Sequence, residues 1–195
     1  MAVDRPRVEA LVRELLVAIG EDPERAGLEQ TPARVAEACA EFFSGIGADA
    51  GAPLERTISV ADGDEHDVLA AGAVLLRDVR FRSVCEHHLL PFVGAAHLAY
   101  LPGEHVVGLG ALPRVVDVLA SRPQVQERLG EQIADVMASR LDARGVLVVL
   151  DAVHGCVTSR GERQPASSTL TIAARGALAE PAARAELIAL IAGRA

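Results

Sequence analysis

Tryptophan is absent from this 195-residue chain, and one tyrosine and four phenylalanines are its only aromatic residues. The core must therefore be built from Val, Leu, Ile and Ala, and composition alone offers no stacking platform for a flat ligand. Cysteine is scarce and odd in number: Cys39, Cys85 and Cys156 exclude a disulfide framework. Basic residues are outnumbered, 19 Lys and Arg against 27 Asp and Glu, for a net charge of −8. That balance excludes a broad nucleic-acid or anionic-membrane surface and leaves room only for a local basic pocket. No apolar run approaches the roughly 18 residues of a membrane span, and the opening "MAVDRPRVEA" carries no signal segment. A cytoplasmic protein with no membrane or nucleic-acid partner is expected. Internal repeats and low-complexity linkers are missing. "GLGAL" (Gly108 to Leu112) is too short for a nucleotide-binding glycine loop. The acidic stretch around His66 takes no assignment.

What is present is 50% hydrophobic and 24% charged, enough for one well-cored domain and a small appendage. Val8, Leu11, Val12, Leu15, Leu16 and Ile19 recur at helical spacing. Thr31-Pro32 predicts an N-cap followed by proline in the first turn of a second helix. Cys39 falls on that helix's apolar face, as a small core hydrophobe. From Val74 the period changes. Val74–Val84 and Phe92–Leu101 predict two strands. Helix faces follow at Leu112, Val115, Val116, Leu119 and at Val125, Leu129, Ile133, Val136, Met137, Leu141, with "SRPQ" interrupting between them. "GVLVVLDAVHGCVTSRG" predicts a β-branched strand, Ser168–Ala174 a last strand and Pro181–Ile191 a terminal helix. Two strand pairs separated by two helices make the fold class α+β.

Cys85, Glu86, His87 and His88 lie in the connection between the first two strands. In "DAVHGCVTSRG", His154 and Cys156 are two apart on the predicted strand, which directs both to one face. Two Cys/His clusters in one chain suit zinc. Two thiolates and one imidazole leave a fourth position for water, whose pKa zinc would lower towards neutrality, and the spare histidines could carry protons. The alternative is a pair of buried core thiols with surface histidines.

"CEHHLLPFVGAAHLAYLPGEHVVGL", "RPQVQERL" and "DAVHGCVTSRG", in that order, together with the early "TPARV" and "FFSGI", resemble the GTP cyclohydrolase I family. The resemblance runs from Thr31 to Arg175. It implies a tunnelling fold: an antiparallel sheet with helices on one side. An N-terminal helical segment (1–50) precedes the catalytic domain (51–195), and the whole assembles into a ring-shaped homo-oligomer, a decamer, with active sites between subunits. It implies Zn2+ on Cys85, His88 and Cys156, with His87 and His154 as catalytic proton carriers. Glu127 recognises the guanine edge, Gln126 sits beside it, and Arg34, Arg114 and Arg160 bind phosphate. The activity implied is hydrolytic opening of the imidazole ring of GTP, loss of formate and rearrangement to 7,8-dihydroneopterin triphosphate. One departure stands out: Gly110-Ala111 occupies the place where the family commonly has Ser-Lys, and Pro113 enters the helix start. Three explanations compete. Arg163 or a neighbouring subunit's arginine compensates; the chain is a specialised paralogue that acts on another guanine nucleotide or stops at a ring-opened intermediate; or it is a non-catalytic zinc-binding subunit.

Overall fold

The computed structural model describes residues 3–59, 72–161 and 163–193. The acidic stretch around His66 lies outside them. Two helices open the chain, α1 (Arg5–Ala18) and α2 (Thr31–Phe42), packed on each other. Asp4 caps α1, its carboxylate accepting from the Arg7 N–H at 3.1 Å. Of the α1 residues predicted at helical spacing only Leu16 is buried, and Leu11, Leu15 and Ile19 face outward. Thr31 does not cap α2. Its N–H already bonds Leu28 O, so the helix starts at Thr31, with Gln30 before it making no side-chain cap. Cys39 is only partly buried and lines an apolar groove with Phe42, Phe43 and Leu89. It does not sit in a closed core.

Two sheets follow. β1 (Thr57–Ser59) pairs antiparallel with β4 (His105–Val107), a ribbon too short for periodicity to reveal. The main sheet has five strands in the order β5-β2-β3-β6-β7. Its members are β2 (Val74–Cys85), β3 (Pro91–Leu101), β5 (Pro123–Gln124), β6 (Gly145–His154) and β7 (Thr169–Gly176). Every pairing is antiparallel except β2 with β5, where "SRPQ" contributes a short parallel strand rather than a simple interruption.

Strand alternation and helix periodicity meet on one face of this sheet. Leu98, Val148 and Leu150 turn towards α3 (Ala111–Ala120) and α4 (Gln126–Leu141), whose Leu112, Val115, Leu129 and Ile133 are fully buried. Pro113 is harmless as the third residue of α3, because no intrahelical acceptor awaits an N–H there. On the other face, α6 (Pro181–Ala192) brings Leu187 against Ala99, Leu147 and Val149. The rest of that face leaves Val93, Leu170 and Ile172 exposed. No helix among the described residues is long and apolar enough to cross a membrane.

The expectation that places His154 and Cys156 on one strand is overturned as well. β6 ends at His154, and Cys156 lies in a separate short helix, α5 (Gly155–Thr158), not two residues further along a strand. Gly155 permits the break: a Cβ there would sit 2.8 Å from the Pro91 carbonyl oxygen. A β-branched run reads as continuous strand until that close approach is known.

Candidate active site

The turn between β2 and β3 is closed by its own backbone. Cys85 N–H donates to Leu90 O at 2.9 Å and Leu89 N–H to Cys85 O at 2.8 Å, with Leu89 in the left-handed region at φ 52°. From outside, the Glu86 N–H donates to Gln124 O on β5 at 3.0 Å. This geometry buries Cys85 and leaves His88 exposed, with Cys85 Sγ 4.0 Å from His88 Nδ1. Cys156 arrives from α5. Among the described residues, Cys85, His88 and Cys156 are the one group whose donor atoms gather as metal ligands would, all within 4.8 Å of one another. Zinc with tetrahedral bonds to sulfur and nitrogen needs donors about 3.6–3.8 Å apart, so the three would fit it with small adjustment, and no fourth His, Cys, Asp or Glu joins them among the described residues. Burial pushes the Cys156 thiol up, and the adjacent Cys85 thiol pushes it further. Arg160 opposes weakly, with its Nη1 3.3 Å from His88 Nε2. A divalent cation would relieve this crowding of two thiols.

His154 ends β6 directly opposite Phe92 on β3, and the rings stack with centroids 4.6 Å apart and planes 6° from parallel. Behind it lies Gln126, only 1% exposed. Gln126 Nε2 donates towards Leu150 O at 3.0 Å, Thr169 O at 2.8 Å and Thr171 Oγ1 at 3.1 Å. Those acceptors set the amide's orientation and leave its Oε1 to accept from His154 Nε2 at 2.7 Å. His154 therefore carries its hydrogen on Nε2, and in the neutral ring Nδ1 keeps a free lone pair. Burial lowers the His154 pKa, and the Glu127 carboxylate partly restores it. Glu127 is exposed in the first turn of α4, where a negative charge suits the helix N-terminus. It lines a cavity of about 250 Å³ with Gly130 and Thr171.

A thiol–imidazole–thiol cluster, a tautomer-locked histidine and an exposed carboxylate can together do metal-assisted hydrolysis on a base with a donor edge. The family profile of GTP cyclohydrolase I matches residues 8–192. The chain belongs to the GTP cyclohydrolase I family. A GTP cyclohydrolase 1 from Leifsonia xyli subsp. xyli is 63% identical over 188 residues, covering 96% of this chain and 95% of its own. Another, from Rhodopirellula baltica, is 50% identical over 190 residues (97% and 80%). The Thermobifida fusca protein of the same name is 48% identical over 195 residues (98% and 90%). The crystal structure of the archaeosine synthase QueF-Like in the apo form overlaps at a TM-score of 0.44 and 14% identity, over 54% of this chain and 95% of that one.

Within this family member the expected site residues do not all converge. Cys85, His88 and Cys156 come together, with Arg160 against them. Glu127 is close enough to His154 to influence its charge. Gln126 is turned inward, its amide bonded within the chain. His87 is exposed, its Nε2 3.9 Å from Glu86 Oε1. Arg34 lines the apolar groove beside Leu89. Arg114 donates through Nε to Gly110 O at 3.2 Å and lines a different cavity with Arg56. Ala111 is buried at the start of α3. Arg163 is exposed, its N–H donating to Arg160 O at 3.2 Å.

Two contributors were missed in the sequence. Phe92 reads as an ordinary core strand residue, and only the β3–β6 register makes it the stacking partner of His154. Arg128 reads as a solvated helix charge, yet it grips Glu86.

Proposed function

We propose that the chain is a zinc-dependent GTP cyclohydrolase I that hydrolytically opens the guanine imidazole ring of GTP. Formate is released and the product is rearranged to 7,8-dihydroneopterin triphosphate. The observation that carries this is the Cys85–His88–Cys156 cluster in a chain that also presents His154 and Glu127. Zinc, when bound there, supplies a Lewis acid that brings water's ionisation near neutral pH. Glu127 accepts from guanine N1–H and the exocyclic amine together, a pairing adenine cannot offer. His154, held neutral by burial and with Nδ1 free, takes the proton released as water attacks C8 and passes it to N7. Gln126 holds the tautomer that makes this possible, and Phe92 holds the ring plane. His87 is a second proton carrier at the exposed rim.

Arg160, Arg34 and Arg114 are proposed to bind the triphosphate. Arg34 and Arg114 line separate cavities, which supports a site completed between copies of the chain. The exposed apolar residues of α1 and of the open sheet face support the same assembly, a tunnelling-fold homodecamer. Segment 1–50 would be a helical appendage to the catalytic domain 51–195. Arg122 ties them by donating to Gly45 O and Ala48 O, both at 2.8 Å. Free thiols suit a cytoplasmic setting. Ala111, which brings no cation to the start of α3, favours a second reading in which a guanine nucleotide with fewer phosphates is used.

Zinc-loaded protein incubated with GTP, GDP and GMP, with formate assayed and nucleotides weighed by mass spectrometry, tests both. A pterin triphosphate with stoichiometric formate from GTP is expected. Preference for GDP or GMP, or a ring-opened species that keeps its ribose, supports the specialised reading. No change to any of the three overturns both. His154→Asn in the same assay is expected to lower kcat by about 10²–10⁴-fold with zinc content unchanged.

A further inference from the structure

Glu86 is the one member of the Cys85–His88 run with no part in the chemistry above. Its carboxylate is not among the clustered donor atoms. Both of its oxygens are taken by Arg128, Nη1 to Oε2 at 2.7 Å and Nη2 to Oε1 at 2.8 Å. Arg128 stands in the first turn of α4, next to Glu127 and two residues from Gln126. Its helix is anchored by Leu129 and Ile133, both fully buried. The bridge therefore joins the turn that bears Cys85 and His88 to the helix start that bears the guanine-recognising carboxylate. The Glu86 N–H bond to Gln124 O holds the same turn from its backbone.

Stability is not what this pair offers. Its side chains are 31% and 46% exposed, and an ion pair so open to solvent contributes little to folding. A two-bond fork instead offers direction, because a guanidinium and a carboxylate meet in one plane and at one spacing. We propose that Glu86 and Arg128 are positioning residues that set the metal-bearing turn in register with the base-recognition end of α4. The proposal rests on the function given above for that site.

The test uses Glu86→Gln, Arg128→Gln, Arg128→Lys and the double Gln variant. Zinc alone is the first probe, its affinity measured on metal-free protein by competition with a chromophoric chelator. Each Gln variant is expected to weaken zinc about tenfold, as the loss of an outer support for metal ligands does. With GTP, kcat should fall by about tenfold while KM stays within about threefold, the pattern of lost alignment rather than lost binding. The metal-free melting temperature should move by only about 1–3 °C. The double variant should be no worse than either single one, and Arg128→Lys, which keeps the charge without the fork, should recover only part of the loss. The proposal fails if both single variants keep zinc affinity and kcat within twofold of wild type. It also fails if the two losses multiply in the double variant, or if melting temperature falls in step with zinc affinity. A wild-type protein that binds zinc but leaves GTP unchanged removes the assigned activity, while the zinc affinities still decide the role of the pair.

Discussion

Cys156→Ser is expected to lose stoichiometric zinc and to lower kcat/KM for GTP by on the order of a thousandfold or more, since a three-donor site cannot spare a thiolate. The donor atoms of Cys85, His88 and Cys156 converge within 4.8 Å, and no other His, Cys, Asp or Glu among the described residues joins them. A serine hydroxyl is isosteric but is a poor zinc ligand at neutral pH. Cys156 is the better choice for the experiment because it is only partly buried, whereas Cys85 is buried in the core cluster that holds Phe81 and Phe92. Cys85→Ser should lose zinc equally and also melt lower, by burying a hydroxyl where a thiol had packed. Elemental analysis, melting curves and formate release separate these effects. Stripping wild-type protein with a chelator should reproduce the Cys156→Ser loss, and added zinc should restore the wild type alone. A Cys156→Ser protein that holds zinc and turns over normally would show the ligand set to be wrong.

Glu127→Gln is the second large effect. The amide keeps the shape of the carboxylate but loses its charge and presents an NH2 group to a substrate edge made of donors. Two charge-assisted hydrogen bonds, each worth about 1.5–3 kcal/mol, are at stake. The expected loss in kcat/KM for GTP is about 10²–10⁴-fold, with zinc content unchanged. Misfolding does not account for a loss of that size. Glu127 is exposed, and removing a negative charge from the first turn of a helix costs about 0.3–1 kcal/mol. A second signature follows from His154, whose pKa burial lowers and Glu127 draws back up. Removing the Glu127 charge should lower that pKa further, so the acidic limb of the kcat/KM profile should move to lower pH. A limb that stays in place, with kcat/KM unchanged, would show that Glu127 acts on neither the base nor His154.

Much of this arrangement is legible in the sequence. The buried faces of α3 and α4 follow the 3.6-residue spacing of Leu112, Val115, Leu129 and Ile133. The β2–β3 hairpin follows from two β-rich runs joined by a short polar turn. These are local matters, decided by which side chains along one segment can share a face. The two thiols and the paired histidines were visible as chemistry for the same reason, since residue type alone states what can bind a soft metal.

What the linear order could not decide is which atoms face each other. The position of Cys156 depends on Gly155 passing close to the Pro91 carbonyl, a contact between segments 64 residues apart in the chain. The proton position on His154 depends on Gln126, and the orientation of Gln126 depends on Leu150 of β6 and on Thr169 and Thr171 of β7. Phe92 became its stacking partner through strand register, and Glu86 found Arg128 through the approach of a turn to a helix start. Hydrogen-bond direction and ring stacking act over a few ångströms and between elements distant in sequence. By itself the sequence determined the kinds of group available, the local elements and the apolar faces. The geometry of the thiol–imidazole–thiol cluster, the tautomer of His154 and the link between the β2–β3 turn and α4 were decided only when the sheet and its helices packed.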